Sequence, residues 1–490
     1  MAISDIEVKR ATTGLFLTNT FSTLGFAIIY STLVLFATSK LHLDPLIANA
    51  LMGSFAAFNY GLHLMGGYMS GRFISNRHLF IVGQILQLIA CFVIAQCTYL
   101  SLIIGLAAFL AGSGLNVTCI NNMVTQLFEP EDVRREKAFL WNYSGMNMGF
   151  FVGFAVSGIF QLSQNYSMLF ILGGVGNIIA VASILFSWKY LRDRDTYLTE
   201  KSSTTQHKYL WIAYAGVSIL FVALTMLLRS PNFSNYLMMA VGVIMWVITL
   251  SLAFKCKNLQ DRSRMLAFFV LTMGSFIFWM LYQIGPMGLS LFMDNNVHML
   301  IGSFRIAPQW ALNINSIVVI IGGPILALIL QNMRKSGKNI SNPVLFSMAL
   351  IFIGLGFVVL PIGIHLADPK TGLVSFIWVL ISYILQSMGE LCISPIGYAM
   401  VGRLVPRKLQ SMMMGVWMMT SGIAGIGSSY ISNDAVSGQN LTHPLLSNPS
   451  FAHTFNYVGY GSIIAGIILI TLIPWLNRMI EAKPNTVYLN

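Results

Sequence analysis

Charged residues are scarce in this chain. Aspartate, glutamate, lysine and arginine make up only 9% of its 490 residues, whereas 56% are hydrophobic. A soluble domain carries about 25% charged residues, so a water-soluble fold of this size could not cover its surface. Lipid is therefore the solvent that the composition indicates, and the chain is predicted to be an integral membrane protein.

Signatures of cofactor chemistry and metal binding are missing as well. The five cysteines form no CxxC pair and lie in or beside apolar segments, so we expect neither a disulfide framework nor a metal site. There is no Walker sequence, no GxGxxG before a helix and no HExxH. We expect no cofactor. We also expect no cleaved signal peptide, because no small-residue cleavage site follows the first apolar run.

Long apolar segments are what the chain has in abundance. A membrane-spanning helix needs about 20 mostly apolar residues, and fourteen segments meet this length. They lie near 13–36, 47–71, 78–98, 100–127, 137–162, 166–189, 209–228, 236–254, 265–292, 308–332, 342–365, 373–401, 410–432 and 454–477. The longest polar connections are 190–208 and 433–453. The prediction is an all-α, polytopic membrane protein with fourteen transmembrane helices.

Lysine and arginine are distributed unevenly over the loops. If the N-terminus is cytoplasmic, only Lys40, Arg229, Arg305 and Lys370 of the 28 basic residues face outward. This bias is the positive-inside signal, and it accounts for the net charge of +12 without a nucleic-acid partner. Both termini are therefore expected in the cytoplasm.

The fourteen segments divide into groups of six, two and six. Segments 209–228 and 236–254 lack the interior polar and glycine-rich character of the others, and we interpret them as a lipid-facing hairpin. Two six-helix bundles are the arrangement of the major facilitator fold, with solute bound between the halves. The expected domains are an N-terminal bundle over 1–190, a linker with two extra helices over 191–262, and a C-terminal bundle over 263–490.

Glu390 is the one carboxylate of sixteen that lies deep in an apolar segment, and no lysine or arginine lies at comparable depth. Ionisable residues inside a bilayer are costly and generally functional. Glu390 is therefore predicted to bind a cationic solute or a proton; the alternative is a protonated glutamate that joins two helices. Pro395, which removes a backbone donor, is assigned to gating, with a packing role as the alternative.

Other polar and aromatic side chains allow two interpretations. His63 is either a proton carrier or a hydrogen-bonded structural histidine. Four aromatic residues either line a solute cavity or serve in packing and interfacial anchoring: Trp279, Tyr282, Trp310 and Trp417.

Five runs of sequence carry a family resemblance. They are GELCISPIGYAMVGRLVPRKLQSMMMGVWMM, GSGLNVTCINNMVTQLFEPEDVRREKAF with NYSGMNMG, FWMLYQIGPMGLSLFMDNNV, PQWALNINS and GGYMSGRFISNR. In that order they resemble core helices ten and eleven, helices four and five, helix seven, the start of helix eight, and the loop between helices two and three of the POT family of proton-dependent oligopeptide transporters. This family is a branch of the major facilitator superfamily. In the last run Gly71 stands where an acid is usual.

The resemblance implies a bacterial inner-membrane importer of di- and tripeptides that is driven by protons and works by alternating access. It implies that Glu390 contacts the peptide amino group and that Asp294 lies near an outer gate. Ser394 and Pro395 match the kink of the tenth helix. The other implied site residues are Asn315, Asn147, Tyr143 and Tyr60.

This chain departs from the family at its charged positions. Asn19, Ser22 and Thr23 stand in place of the first-helix Glu-x-x-Glu-Arg motif. Val117 replaces the fourth-helix lysine, and Gln283 replaces the seventh-helix glutamate. Because an unpaired buried charge is costly, the joint loss of all these charges is physically coherent.

The remaining site predicts a preference among solutes. A peptide carboxylate has no basic partner there, whereas an amine still has Glu390. We therefore expect weak binding of ordinary peptides and better binding of an amine-bearing solute whose carboxylate is masked or absent.

The expected function is secondary active transport of small peptides or a peptide-like amine, by a monomer, with Glu390 and His63 as candidate proton carriers and Gln283 in the solute site. The alternatives are a non-transporting solute sensor, and a facilitative or exchange transporter of a non-peptide solute. An enzyme is not expected, because Glu390 has no partner acid, metal-ligand set or activated nucleophile nearby in the sequence.

Overall fold

The computed structural model describes residues 5–129, 132, 134–194, 196–337, 340–438 and 440–481. Its helices are α1 Asp5–Leu35, α2 Pro45–Met69, α3 Asn76–Ile94, α4 Tyr99–Thr125, α5 Arg134–Leu162, α6 Tyr166–Phe186, α7 Ser203–Leu228, α8 Pro231–Lys255, α9 Leu259–Tyr282, α10 Ser290–Asn296, α11 Pro308–Lys335, α12 Asn342–His365, α13 Phe376–Leu404, α14 Gln410–Val436 and α15 Pro444–Glu481. Four two-residue strands lie in connecting segments: β1 Val297–His298, β2 Leu300–Ile301, β3 Phe304–Arg305 and β4 Val374–Ser375. The protein is nearly all helical, as predicted.

Every predicted span falls on a helix, and one span is broken. The segment predicted over 265–292 contains most of α9 and the start of α10, which are joined by a π-helical turn over Gly285–Leu289. Met287 within this turn has non-helical angles, φ −112° and ψ −110°. Pro286 removes a backbone donor at this point, which accounts for the interruption.

Twelve of the described helical stretches are long and apolar enough to cross a membrane by length and composition, with α9 and α10 counted together. The helices α2 and α14 are not among the twelve. Both carry many residues that are buried against neighbouring helices. A helix surrounded by protein does not need a lipid-compatible surface, so these two can be more polar than the others.

The two long polar connections are shorter than predicted. Helix α7 begins at Ser203, where the Ser202 side chain accepts a hydrogen bond from the Thr205 backbone and caps the helix. Helix α14 continues to Val436 and α15 begins at Pro444. An apolar window detects only the lipid-compatible part of a helix, so the polar end turns were assigned to loops.

The helices form two compact units. Unit 1 comprises Met1–Ser234 and Arg305–Asn313, and unit 2 comprises Asn235–Phe304 and Ile314–Asn490. Within unit 1, α7 packs against α4. Within unit 2, α8 packs against α14: Trp246 Nε1 donates a 3.1 Å hydrogen bond to the Thr420 hydroxyl.

Small residues allow close helix packing in each unit. A Cβ atom added to Gly112 of α4 would lie 2.3 Å from the carbonyl oxygen of Gly83 on α3. A Cβ atom added to Gly354 of α12 would lie 2.7 Å from the carbonyl oxygen of Gly459 on α15. Gly461, two residues further along α15, has no heavy atom within 4 Å of such a Cβ atom. Small residues at membrane-helix crossings let the backbones approach in this way.

Candidate functional site

Three helices of unit 2 bring polar groups to Glu390. Its Oε2 atom accepts a 2.7 Å hydrogen bond from Nδ2 of Asn315 on α11. The hydroxyl of Tyr282 on α9 also hydrogen-bonds the Glu390 carboxyl group. The side chain of Ser387 lies one turn earlier on α13, with Oγ 3.1 Å from the same Asn315 nitrogen. We call Glu390, Asn315, Tyr282 and Ser387 the Glu390 cluster.

The depth of this cluster follows from the position of Glu390 in its helix. Glu390 is equidistant from the two ends of α13, about 21 Å of helix from each at 1.5 Å per residue. A residue this far from both ends of a spanning helix lies near the middle of the hydrocarbon core. Close packing fixes the helix there, because a Cβ atom on the preceding Gly389 would lie 2.9 Å from the Ala349 carbonyl oxygen.

The chemistry of the cluster is that of an acid surrounded by neutral donors. Among the described residues, no lysine or arginine forms an ion pair with Glu390. An ionised carboxylate offers about four lone-pair directions, and Asn315 and Tyr282 use only part of them. The carboxyl group can therefore take a proton or accept further hydrogen bonds from an ammonium group.

Aromatic side chains lie beside the cluster. The rings of Trp279 and Tyr282 meet edge to face with centroids 5.2 Å apart, and Phe278 stacks against Tyr282 at 6.0 Å. The buried Nε1 of Trp279 has no hydrogen-bond partner within the described part of the chain. It is a donor that a bound solute could satisfy.

Several predicted site residues lie in unit 1. The rings of Tyr60 and His63 on α2 meet edge to face at 5.8 Å. His63 is buried, and neither of its ring nitrogens has a hydrogen-bond partner among the residues described here. On α5, Asn147 donates a 2.9 Å hydrogen bond to the backbone carbonyl of Tyr143, whose side chain is half-exposed.

Neutral contacts occupy the positions where charges are missing. Asn19 donates to the Asn142 carbonyl oxygen at 3.0 Å, and Ser22 accepts a 2.8 Å bond from Gln84 Nε2. Thr23 Oγ1 donates to Asn19 Oδ1 at 3.5 Å. These contacts join α1 to α5 and α3 without any charge. Val117 lies apart from these contacts, with 42% of its surface exposed.

Three other predicted residues make packing contacts. Gln283 is buried and donates a 2.7 Å hydrogen bond to the Ser421 carbonyl oxygen on α14. Trp417 is buried, with its ring 6.2 Å from that of Phe346. Trp310, at the start of α11, belongs to unit 1 and donates a 2.9 Å hydrogen bond to the Ala155 carbonyl oxygen.

The structure describes the side chains of some of the residues predicted for the gate and the helix kink. Asp294 is partly buried on α10, and Ser394 is partly buried on α13. The helix α13 passes through position 395, but the Pro395 side chain lies outside the described residues. Its gating role stays a prediction.

Sequence reasoning missed Ser387. The residue is three positions before Glu390 on the same helix, a spacing that places two side chains on one face. This spacing is a readable signal, but a serine in a membrane helix is too common to be singled out without knowing that Asn315 lies opposite.

Comparison with known proteins decides the family. Residues 73–444, more than half of the chain, match the sequence profile of the POT family. The chain belongs to the POT family. Similar proteins include the dipeptide and tripeptide permease B of Salmonella typhimurium, with 26% identity covering 93% of both chains. The dipeptide and tripeptide permease A of Citrobacter koseri is 29% identical, covering 93% of this chain and 90% of its own length.

The fold of this POT-family chain agrees with solved structures. The crystal structure of a peptide transporter POT in complex with sulfate superposes with a TM-score of 0.84 and 23% identity, covering 96% of both chains. The major facilitator fold predicted from the sequence is confirmed. Family membership also confirms that the protein is a transporter and not an enzyme. Its bacterial relatives and apolar helices support a multi-pass inner-membrane protein.

Proposed function

We propose that this transporter imports small peptides, or a peptide-like solute with a free amine, by alternating access. The observation that carries the proposal is the Glu390 cluster, in which a mid-helix carboxyl group is held by Asn315 and Tyr282 and has no basic partner among the described residues. The names of its relatives, dipeptide and tripeptide permeases, support the class of solute.

The solute amine is the group that suits the cluster. An ammonium ion carries three donors and no acceptor, and the Glu390 carboxylate is an acceptor held in place by two neutral donors. The aromatic rings of Trp279 and Tyr282 are close enough to one another to form a wall on which a cation is favourably placed. We therefore assign the solute amine to Glu390.

The site offers fewer favourable contacts to the carboxylate of a solute than to its amine. Val117 and Gln283 replace a lysine and a glutamate that the family resemblance leads one to expect, and Gln283 is engaged with Ser421. Burial of a carboxylate without a charged partner is costly. We propose that carboxyl-amidated or carboxyl-free amines bind at least as well as ordinary dipeptides.

Proton coupling is assigned to the same carboxyl group. Protonation of Glu390 removes the charge that binds the amine, so proton and amine compete for one site. This competition favours exchange of one solute for another over tightly coupled symport, which makes exchange the second candidate mode. It is supported by the neutral contacts of Asn19, Ser22 and Thr23, where the family resemblance predicts a charged motif.

The proposed cellular arrangement follows the charge bias of the loops. We place both termini in the cytoplasm because 24 of the 28 basic residues then face inward. We propose that the working unit is a monomer, because each chain supplies its own pair of six-helix bundles.

Solute counterflow in liposomes tests the transport proposal. Vesicles that contain the purified protein are loaded with an unlabelled dipeptide, its carboxyl amide, or a simple amine, and labelled dipeptide is added outside. A transporter accumulates label inside loaded vesicles, and the carboxyl amide should drive accumulation at least as well as the parent peptide. Binding detected by thermal shift without any counterflow would indicate a sensor and would overturn the proposal. Accumulation driven by the parent peptide but not by its amide would overturn the solute preference alone.

A further inference from the structure

A cavity separate from the Glu390 cluster opens within unit 1. It has a volume of about 430 Å³ and lies between the loop that joins α2 to α3, residues 192–193 and 198–199, and the first turns of α7. Its polar lining includes Arg77, His78, Arg192, Asp193, Ser203 and His207. This end of unit 1 carries the basic loops that the positive-inside rule places in the cytoplasm.

Arg77 is a cation in the lining of this cavity. Its guanidinium group stacks over the Trp188 ring, with Cζ 4.1 Å from the ring centroid, and Nη1 donates to the Trp188 carbonyl oxygen at 2.7 Å. These contacts fix the plane of the group. Nε is buried without a hydrogen-bond partner in the described ranges, and Arg77 is a fixed cation in the lining of the cavity.

The acid of the cavity is already engaged. Among the described lining residues, Asp193 is the one carboxylate. It accepts hydrogen bonds from the backbone N and side-chain Nδ2 of Asn76, at 3.0 to 3.2 Å, at the start of α3. Asp193 thus serves as the cap of α3. Its engagement leaves Arg192, which is exposed, without an ion pair among the described residues.

His207 supplies a second oriented donor. The indole Nε1 of Trp211 donates a 3.1 Å hydrogen bond to His207 Nε2. Indole nitrogen is a donor only, so Nε2 is the acceptor and the ring proton is on Nδ1. That N–H remains for a ligand in the cavity.

The surroundings of the cavity are those of a membrane interface. Helix α7, whose first turns line the cavity, continues as a helix with apolar side chains exposed on one face. Ile212, Ile219, Val222 and Met226 share this face by helical spacing and are each at least 45% exposed. Tyr68, Phe73 and Tyr209 cluster beside the cavity, and aromatic residues of this kind gather at headgroup level.

We propose that this cavity binds the phosphate-bearing headgroup of an anionic phospholipid. The phosphate accepts hydrogen bonds from Arg77, Arg192 and His207, and the acyl chains lie along the exposed apolar face of α7. Basic pockets between membrane helices on the cytoplasmic side bind anionic headgroups for the same electrostatic reason. A soluble anion would gain the same polar contacts but nothing from the apolar face, which is why a lipid is the favoured occupant.

Native mass spectrometry of the purified full-length protein tests the proposal. Protein is exchanged from phosphatidylcholine nanodiscs into mixtures with phosphatidylglycerol, and retained lipid is counted while the melting temperature is followed. Wild type should retain phosphatidylglycerol and gain melting temperature. The double variant Arg192→Gln/His207→Gln should bind it at least about fivefold more weakly, which is the factor expected for the loss of the Arg192 charge alone. The matched control is Arg194→Gln, an exposed arginine in the same segment that does not line the cavity.

Three results would overturn the proposal. Equal loss in Arg194→Gln would show diffuse attraction to surface charge. Equal stabilisation by free phosphate or glycerol 3-phosphate would show a soluble anion. Unchanged lipid retention in the double variant would show that the cavity is not involved. If the double variant does not fold, Arg192→Lys, which keeps the charge, and Arg192→Gln alone decide the matter. The first should retain the lipid, and the second should bind it about fivefold more weakly.

Discussion

Neutralising Glu390 is the sharpest test of the solute site. In Glu390→Gln the side chain keeps its shape and can still contact Asn315 and Tyr282, but it can neither pair with an ammonium group nor take a proton in the relevant range. Truncating one partner of a buried, hydrogen-bonded charge pair costs about 2–5 kcal/mol. At about 1.4 kcal/mol per tenfold, solute affinity should fall by a factor of roughly 30 to several thousand.

The pH dependence of the variant should disappear as well. In wild type, lowering the pH protonates Glu390 and removes the charge that holds the amine, so affinity should fall with acidity. In Glu390→Gln no such charge exists, and affinity should be flat. Counterflow competition between about pH 4 and 8, a range that starts near the ordinary glutamate pKa of about 4.3, measures both effects. The control is Glu200→Gln, an exposed acid in a loop. Affinity within twofold of wild type, with an unchanged pH profile, would refute the role of Glu390.

Five further substitutions test the packing and the loops by thermal unfolding in detergent. Gly354→Ala should lower the free energy of unfolding by about 1–3 kcal/mol because the methyl group would overlap the α15 backbone. Gly461→Ala, with open space around it, should leave that free energy unchanged. Equal effects would contradict the close contact between α12 and α15. Trp310→Phe should lower the free energy of unfolding by about 0.5–1.5 kcal/mol because the indole hydrogen bond is lost. An unchanged free energy of unfolding would contradict a stabilising role of this hydrogen bond. Burial raises the pKa of Asp193 despite its bonds to Asn76. The contribution of Asp193 to stability therefore falls as pH rises from 3.8 through that raised pKa, and Asp193→Asn should remove this part of the pH dependence of stability. Backbone N–H groups lower the pKa of Asp368; its contribution, present above 3.8, is lost as pH falls through the lowered pKa, so Asp368→Asn should weaken acid destabilisation.

Apolar length predicted the spans because hydrocarbon thickness imposes one length on every helix that crosses it. It could not predict where α15 begins. The stretch 444–453 holds two prolines and four polar residues, yet it is helical from Pro444, since proline at the first helical position loses no intrahelical bond. Helix ends outside the bilayer are set by local capping, which an apolar window does not detect.

The acid of the candidate site could be predicted from the sequence, but the residues that contact it could not. Glu390 is recognisable because a buried charge is expensive wherever it lies. The direction of Gln283 depends on how α9 ends: as the residue after Tyr282, it leaves the helix and reaches the Ser421 carbonyl on α14. The pairing of Asn315 with Ser387 depends likewise on the rotation of two helices about their axes. Such rotations are decided by packing against neighbours, which sequence spacing does not contain.

A single interior acid has a consequence for energy coupling. If amine and proton bind Glu390 exclusively of one another, each lowers the affinity for the other by the same factor, as linkage requires. A symporter needs the opposite, a site where the proton favours the solute. Symport by this chain would therefore need a second proton acceptor that becomes cationic and attracts the carboxylate of a peptide. His63, buried without a hydrogen-bond partner among the described residues, is the remaining candidate. His63→Gln should then abolish proton-driven accumulation while leaving counterflow intact, whereas loss of both would place His63 in the solute path instead.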